Sequence, residues 1–465
     1  LCTGLNPEQL NFVIKRKCTL SGAFSFYLCR LLTASMMMSY PETLEYLYAQ
    51  MPEYQRIGHL AYKPGLENSH RLDTLFNHPH QRYRTIHVGG TNGKGSTSHL
   101  LAAILGESGY KVGLYTSPHL VDFRERIRVN GEMVPEGYVI DFVEKYRDRV
   151  EPIMPSFFEL TMEMAFLYFA EQQVDVAVVE VGLGGRLDST NIISPDLCVI
   201  TNIGFDHMQY LGNTLPEIAA EKAGIIKPGV AVVIGEAEDE AVREVFDTKA
   251  RSVGAPILFA ERELSGFSAD WNNDQWRIDT CEYPNLTYQL GGFAQEKNAR
   301  TVLTAVSELK RQGYRIPEEA VYGGFAHVKE LTGLRGRWEL LQTRPRIICD
   351  TGHNAHGIRY IVSQLQQENY HRLHMVFGMV NDKDITPVLA MLPRQANYYF
   401  TRASVERALD GETLAQQAAA FGLQGDCYGG VASAIEAAKE NADEDDLIFI
   451  GGSSFIVADA LPLFR

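Results

Sequence analysis

From residue 84 onward, short apolar runs alternate with stretches of helical period, the pattern of a mostly parallel sheet covered by helices. Residues 85–88 predict a strand, 96–107 a helix that closes near Gly109, and 111–115 the next strand, which together make one βαβ unit. Helices are predicted over 136–149 and 159–171. The nearly continuous β-branched run Val174-Asp175-Val176-Ala177-Val178-Val179-Glu180-Val181 predicts a strand buried on both faces. Strands over 197–201 and 231–235 follow, and between them Thr214 and Glu217 have the spacing of a capping box opening a helix that ends near Gly224.

Past residue 260 the alternation weakens into mixed runs with polar turns, predicting a small antiparallel sheet up to residue 288, before a clear helical period returns at 295–311. The glycine-bearing connector Leu331-Thr332-Gly333-Leu334-Arg335-Gly336 is read as a domain boundary. Beyond it the alternation repeats on a smaller scale, with strands at 346–349, 373–378, 397–401, 426–428 and 446–451 and helices at 357–367, 385–391, 412–421, 431–441 and 455–463. The expected fold class is therefore α/β. A large N-terminal domain, 36–331, carries a mostly parallel sheet, and a smaller Rossmann-like α/β domain, 332–465, closes a cleft against it.

Composition narrows this picture without changing it. The chain has 465 residues, which suggests two or three domains, and its 45% apolar content is that of a globular protein. Fifty-eight acidic against 43 basic residues give a net charge of −15, which argues against a nucleic-acid partner. The seven cysteines show no C-x-x-C spacing, which fits a reducing cytoplasm, and no apolar run is long enough to span a membrane. Residues 1–35 differ from the rest. The chain begins with Leu1, and Met36-Met37-Met38 precede an amphipathic helix, so the true start is expected at 36–38 and the leader is expected to be upstream sequence.

The chemistry centres on His87-Val88-Gly89-Gly90-Thr91-Asn92-Gly93-Lys94-Gly95-Ser96, which joins a predicted strand to a predicted helix. Backbone N–H groups at a helix N-terminus face an anion there, glycines let the main chain approach it, and Lys94 adds a point charge. The usual G-x-x-x-x-G-K-[ST] loop would have Gly where Val88 stands and would not place Gly95 between Lys94 and Ser96. Glu180, at the end of an apolar parallel strand, would be costly to bury without a cation, and Mg2+ beside ATP phosphates supplies one. His207 follows another strand, and Ser117 in Thr116-Ser117-Pro118 leaves the strand next to the loop, so both are candidate metal donors. Lys222 is either a solvated helix lysine, a phosphate partner, or a carbamate. Arg337 can grip phosphate from the connector, and Cys349-Asp350-Thr351-Gly352-His353-Asn354 concentrates polar groups at a strand-to-helix junction.

Taken together, these residues resemble the folylpolyglutamate synthase family of the Mur ligase superfamily. The likeness runs from about residue 40 to the C-terminus and rests on G-T-N-G-K-G-S at 90–96, T-S-P-H-L at 116–120, E-V-G-L-G-G-R-L-D-S-T-N at 180–191, D-H at 206–207, E-K-A-G-I-I-K at 221–227, G-R-W-E at 336–339 and D-T-G-H-N-A-H-G at 350–357. The resemblance implies that Gly90, Thr91, Asn92, Gly93, Lys94, Gly95 and Ser96 hold ATP phosphates, with Asn298, Arg337, Asp350 and His353 as further nucleotide contacts. It implies that Ser117, Glu180 and His207 bind Mg2+, with K+ left open as an addition, and that Lys222 is carbamylated. Lys94, Glu180, His207 and Lys222 are the implied catalytic set. Ser117, Pro118, His119, Phe158 and Asp188 are the implied folate contacts, and Thr351 departs slightly from the family pattern.

The implied reaction is ATP-dependent addition of L-glutamate to dihydropteroate and to the terminal glutamate of folates through an acyl phosphate. A monomeric cytoplasmic enzyme with small-molecule substrates, no nucleic acid and no membrane is expected. The alternatives are a Mur-type ligase acting on a UDP-muramoyl peptide and a phosphate-loop NTPase switch.

Overall fold

The computed structural model describes residues 38–50, 65–272, 274–381 and 384–464, so the expected leader lies outside the described residues. Eight strands form the N-terminal sheet: β1 (Arg84–Gly89), β2 (Val112–Tyr115), β3 (Ile127–Val129), β4 (Glu132–Met133), β5 (Val176–Glu180), β6 (Leu197–Asn202), β7 (Ala231–Glu236) and β8 (Ile257–Phe259), in the order β4-β3-β2-β5-β1-β6-β7-β8. All neighbours are parallel except the pairs that β3 makes with β2 and β4. Strand β5 is buried at every position, as its unbroken apolar run requires.

Register places the chemistry. Val88 of β1 pairs with Glu180 of β5, Gly89 with Ile200 of β6, and Tyr115 of β2 with Val179. The residues that follow each strand therefore emerge along one edge: Gly90 after β1, Ser117 after β2, Glu180 closing β5, and Thr201-Asn202 closing β6. The helix Lys94–Glu107 leaves that edge and is buried from Ser96 to Leu105. Covered by the sheet on one side and by the helices Ala294–Arg311 and Glu318–Ala326 on the other, it can be apolar nearly all round.

The small antiparallel sheet expected before residue 288 is present as β9 (Ser268–Asn272), β10 (Gln275–Asp279) and β11 (Leu286–Tyr288). The C-terminal sheet contains β12 (Glu339–Thr343), β13 (Arg346–Cys349), β14 (Leu373–Phe377), β15 (Asn397–Phe400), β16 (Gly425–Cys427) and β17 (Leu447–Gly451), in the order β12-β13-β17-β14-β15-β16. Only β12 runs antiparallel, on the edge. Cys349 pairs with Ile450 and Phe377 with Gly451, so Asp350–His353, Ser453-Ser454 and Val380 also share one strand-end edge.

Several elements depart from the sequence reading. The expected helix at 96–107 starts at Lys94, because Gly93 takes a left-handed φ of 80° and becomes the N-cap. The helix Glu240–Val253 was not predicted, although Asp239 caps it and Val242, Phe246 and Ala250 form its buried stripe. Residues 260–263, expected within the antiparallel sheet, are helical. The helix expected over 385–391 is only Thr386–Leu389.

The capping box forms as the spacing predicted: Thr214 Oγ1 accepts the Glu217 N–H, and Glu217 Oε2 accepts the Thr214 N–H at 3.0 Å. It opens the helix Leu215–Ala223, whose last turn carries Lys222. Thr214→Ala should cost about 1 kcal/mol, read as a fall in denaturant midpoint at unchanged m-value; no change in midpoint would show that the helix is held by packing alone.

Candidate active site

The phosphate loop is built from two close approaches that only glycine permits. Gly90 (φ 136°) lies where a Cβ would sit 1.9 Å from Thr201 Oγ1, and Gly93 (φ 80°) where one would sit 2.2 Å from Asn298 Oδ1. The loop is tied to β6 by Thr91 N–H donating to the Asn202 carbonyl, by Asn92 N–H donating to Asn202 Oδ1 at 2.9 Å, and by Thr201 Oγ1 donating to the Asn92 carbonyl at 2.5 Å. Lys94 folds back, its Nζ donating to the Thr91 carbonyl at 3.2 Å. Asn298 is buried beneath the loop and donates to Gln295, which in turn reaches Ser96 Oγ at 3.2 Å.

Gly95 has a different reason. A side chain there would point between the Arg337 guanidinium, 3.5 Å away, and both Glu180 oxygens, 3.8 Å away. The residue that breaks the usual lysine-to-hydroxyl step thus stands where a carboxylate of the N-terminal sheet and an arginine of the connector converge.

Glu180 Oε2 accepts the Ser117 N–H at 3.0 Å, and the Ser117–Pro118 peptide is cis. Burial pushes the Glu180 carboxyl up, opposed by the charges of Lys94, Arg337 and Arg126 and by the Ser117 N–H. His207 has a left-handed φ of 50° and caps the short helix Met208–Leu211. Lys222 is buried, with Nζ donating to the Gly90 carbonyl at 2.9 Å. Its pKa falls to about 7, chiefly through burial and then through the charge of Lys94.

Lys94, Ser117, Pro118, Phe158, Asp188, His207, Lys222 and His353 line one cavity of ≈ 250 Å³. Phe158 lies over Gly182, where a Cβ would be 2.5 Å from its ring. Asp188 Oδ1 accepts the Thr190 N–H at 3.0 Å and its Oδ2 the Leu183 N–H at 2.8 Å, while burial raises its pKa. His119 stands outside this cavity. It lines an adjoining one of ≈ 910 Å³ with Tyr48 and residues of the C-terminal domain, and accepts the Arg126 Nε–H at 2.8 Å. Burial, and then the Arg126 charge, hold its ring well below the usual histidine range, so it accepts as the neutral form.

Asp350 also stands back from the cavity. Its carboxylate accepts the N–H groups of Trp338 at 2.8 Å and Gly352 at 2.7 Å, bracing the turn that presents Arg337. Arg337 itself donates to the Gly336 carbonyl at 3.1 Å and to Thr351 Oγ1. The two domains meet across the loop: Asn92 and Asn354 exchange hydrogen bonds at 3.0 Å, and Asp206 Oδ2 accepts from Asn354 at 2.9 Å and lies 3.3 Å from His353 Nε2.

Sequence reasoning passed over Arg126, Arg407, Ser453 and Ser454, all of which line the cavity. A signal was present for the serines. Gly451-Gly452-Ser453-Ser454 follows an apolar strand and opens a helix, with Ser453 as its N-cap, the same strand-glycine-helix form as the phosphate loop.

A glycine-built strand-to-helix loop with one lysine, a buried carboxylate beside it and a second α/β domain meeting both are the arrangement of a Mur-type ligase. Two family descriptions match accordingly: Mur ligase middle domain over residues 88–265, and Mur ligase, glutamate ligase domain over 336–454. The dihydrofolate synthase/folylpolyglutamate synthase of Bacillus subtilis is 36% identical over 372 residues, covering 75% of this chain and 84% of that protein. A probable bifunctional folylpolyglutamate synthase/dihydropteroate synthase of Haloferax volcanii is 32% identical over 438 residues; 91% of this chain is matched, but the chain spans only 50% of that longer relative. Escherichia coli FolC in complex with DHPP and ADP superimposes with a TM-score of 0.79 at 30% identity, covering 92% of this chain and 97% of that one. A bifunctional folylpolyglutamate synthase/dihydrofolate synthase with Mn, AMPPNP and L-glutamate bound gives a TM-score of 0.76 at 28% identity, over 92% and 98%. The chain belongs to the dihydrofolate synthase/folylpolyglutamate synthase family of the Mur ligases.

Gly93 and Gly95 should respond differently to the same added methyl. Gly93→Ala, strained in φ and blocked by Asn298, is expected to weaken ADP binding at least about tenfold. Gly95→Ala meets only ordinary contacts and should bind ADP as the parent does, whereas Gly95→Val should lose turnover by wedging Arg337 from Glu180. Calorimetric ADP titration and turnover of the three variants check this; equal behaviour of Gly93→Ala and Gly95→Ala would refute it.

Proposed function

We propose that the chain ligates L-glutamate to dihydropteroate and to the terminal glutamate of reduced folates, driven by ATP, as a monomeric cytoplasmic enzyme with no nucleic-acid partner. The observation that carries this reading is that Lys94 and Lys222 share one cavity with Phe158 and Asp188, a cationic end and an aromatic-plus-carboxylate end. The second domain begins in this reading at residue 332 and closes that cavity. The named relatives favour folate over a UDP-muramoyl acceptor or a switch.

In the first step an oxygen of the acceptor carboxylate attacks the γ-phosphorus and ADP leaves. In the second the glutamate amine attacks the acyl carbon, phosphate departs, and the amine gives up a proton. Positioning and charge compensation dominate such transfers. Lys94 and Arg337 converge on the phosphate end, where the loop N–H groups add their dipoles. Phe158 offers a face to an aromatic ring system, and Asp188, already fixed by Thr190 and Leu183, an acceptor to its N–H groups.

The donors Ser117, Glu180 and His207 suit a hard divalent cation: a buried carboxylate held by one N–H, with a hydroxyl and an imidazole on the same sheet edge. They would hold Mg2+, which when bound offsets phosphate charge. Lys222, whose pKa falls to about 7, is suited to attack CO2 through its unprotonated amine and, on releasing one proton to solvent, become a carbamate.

Phosphate release with ATP, Mg2+ and L-glutamate should be supported by dihydropteroate and tetrahydrofolate. Release with a UDP-muramoyl acceptor alone would overturn the folate assignment. Lys94→Ala and Glu180→Ala should each lower turnover by about 10³ or more while the fold persists; near-parental turnover in either would remove it from the site.

The carbamate gives a pH signature. The neutral Lys222 amine grows as pH rises through about 7, and its addition to CO2 releases a proton, so at fixed CO2 pressure turnover should increase with pH through that value. Lys222→Arg should be inactive. A profile indifferent to CO2 would exclude the modification.

A further inference from the structure

A second cluster lies at the opposite end of the sheet, ahead of the first residue of β1. The helix Glu67–Leu75 ends, the chain turns back through Asn77 and His78 at left-handed φ values of 59° and 51°, and the 3-10 turn Pro79–Arg82 leads into β1. This brings His78 Nδ1 to 2.6 Å and His80 Nε2 to 3.3 Å from the buried Asp73 carboxylate. Ligand atoms of Asp73, His78 and His80 all fall within 4.8 Å of one another.

The helix Phe157–Glu171 packs against both segments. Tyr83 donates to the Phe166 carbonyl at 3.1 Å, and the His80 ring lies 6.0 Å from that of Phe166. One turn before Phe166 on the same helix face stands Glu163, which is fully buried, with neither carboxylate oxygen hydrogen-bonded. The charge that acts on Glu163 is that of Asp73, and both acidic groups act on Tyr83. Ser69 Oγ, one turn before Asp73, is likewise buried without a partner.

Burial, and then the Asp73 charge, push the Glu163 carboxyl well above the usual carboxylate range, while against burial His80 and His78 hold that of Asp73 down, so the pair could be ionised together only with a cation beside it. We propose that Asp73, His78 and His80 bind a transition-metal dication, Zn2+ by donor type, with Glu163 balancing its charge directly or through a water. Two imidazoles and a carboxylate are zinc-type donors, unlike the oxygen-rich set expected of a magnesium site. With bonds of 2.0–2.1 Å to a tetrahedral ion, donor atoms sit about 3.3 Å apart. His80 already has this spacing from Asp73, and His78 must retreat by about 0.7 Å. Its side chain is 47% exposed, which leaves room to move and an entry path for the ion. Two neutral imidazoles, two carboxylates and one dication make an uncharged unit, open to solvent only at His78. It would fasten the helix Glu67–Leu75 and the 3-10 turn to the helix that carries Phe158.

The test is Co2+ titration of the metal-stripped, full-length protein, followed by visible absorption. The expected result is one Co2+ per chain with the intense bands of a four-coordinate site, displaced by Zn2+, and a rise in Tm with Zn2+ that the parent shows and the variants lack. Affinity should fall by about 100-fold in His78→Ala and His80→Ala and by about tenfold in Glu163→Gln, with ligase turnover of His78→Ala unchanged. Because His78 is exposed, its variant folds even if His80→Ala does not. Absence of the bands in the parent, or their persistence in His78→Ala, would show that protonated histidines supply the balancing charge and would overturn the metal site.

Discussion

The register of three parallel strands governs the active site. Pairing Val88 with Glu180 and Gly89 with Ile200 forces the phosphate loop, the carboxylate and Thr201 onto one edge within hydrogen-bond reach. A slip of one residue would turn Glu180 and the whole apolar set of β5 to the other face of the sheet. Close packing on both faces opposes that slip, because each apolar side chain would enter a site shaped for another and Glu180 would leave the Ser117 N–H, so a constraint in the core fixes a chemical constraint at the edge. The Lys222 amine, bonded to the Gly90 carbonyl, inherits its place from the same alignment.

The second domain meets this edge through polar side chains. Asn92, inside the phosphate loop, is bonded to Asn354, the N-cap of the helix Ala355–Leu365. Asp206 is bonded to the same asparagine. Hydrogen bonds of this kind contribute about 1 kcal/mol each and exchange readily with water, so the closed arrangement can be held while reactants are enclosed and given up afterwards. Loop geometry and domain closure thereby share one residue, and an occupant that shifts Asn92 also alters the contact that holds the domains together.

Much of this was legible in the chain. Strand β5 and the helix starting at Thr214 could be read because an unbroken apolar run and a capping box are local signals with local causes. What was missed had two origins. The β3–β4 hairpin turns at Asn130-Gly131, both with positive φ, a strong hairpin signal hidden by strands of three and two residues. Arg126 and Arg407 carry no local mark of function, since only folding brings them to the cavity. His119 and Asp350 show the converse: their motifs drew attention, but one lines the adjoining cavity and the other braces the Arg337 turn.

Gly95 illustrates why a departure from a familiar pattern can inform more than a match. In the common phosphate loop the lysine is followed at once by a hydroxyl residue, and nothing in the loop alone explains a glycine between them. The explanation lies in the second domain's connector, where Arg337 reaches to 3.5 Å of the point a Cβ would occupy, and in β5, whose Glu180 comes to 3.8 Å. The missing side chain is the space across which the Arg337 guanidinium and the Glu180 carboxylate face each other.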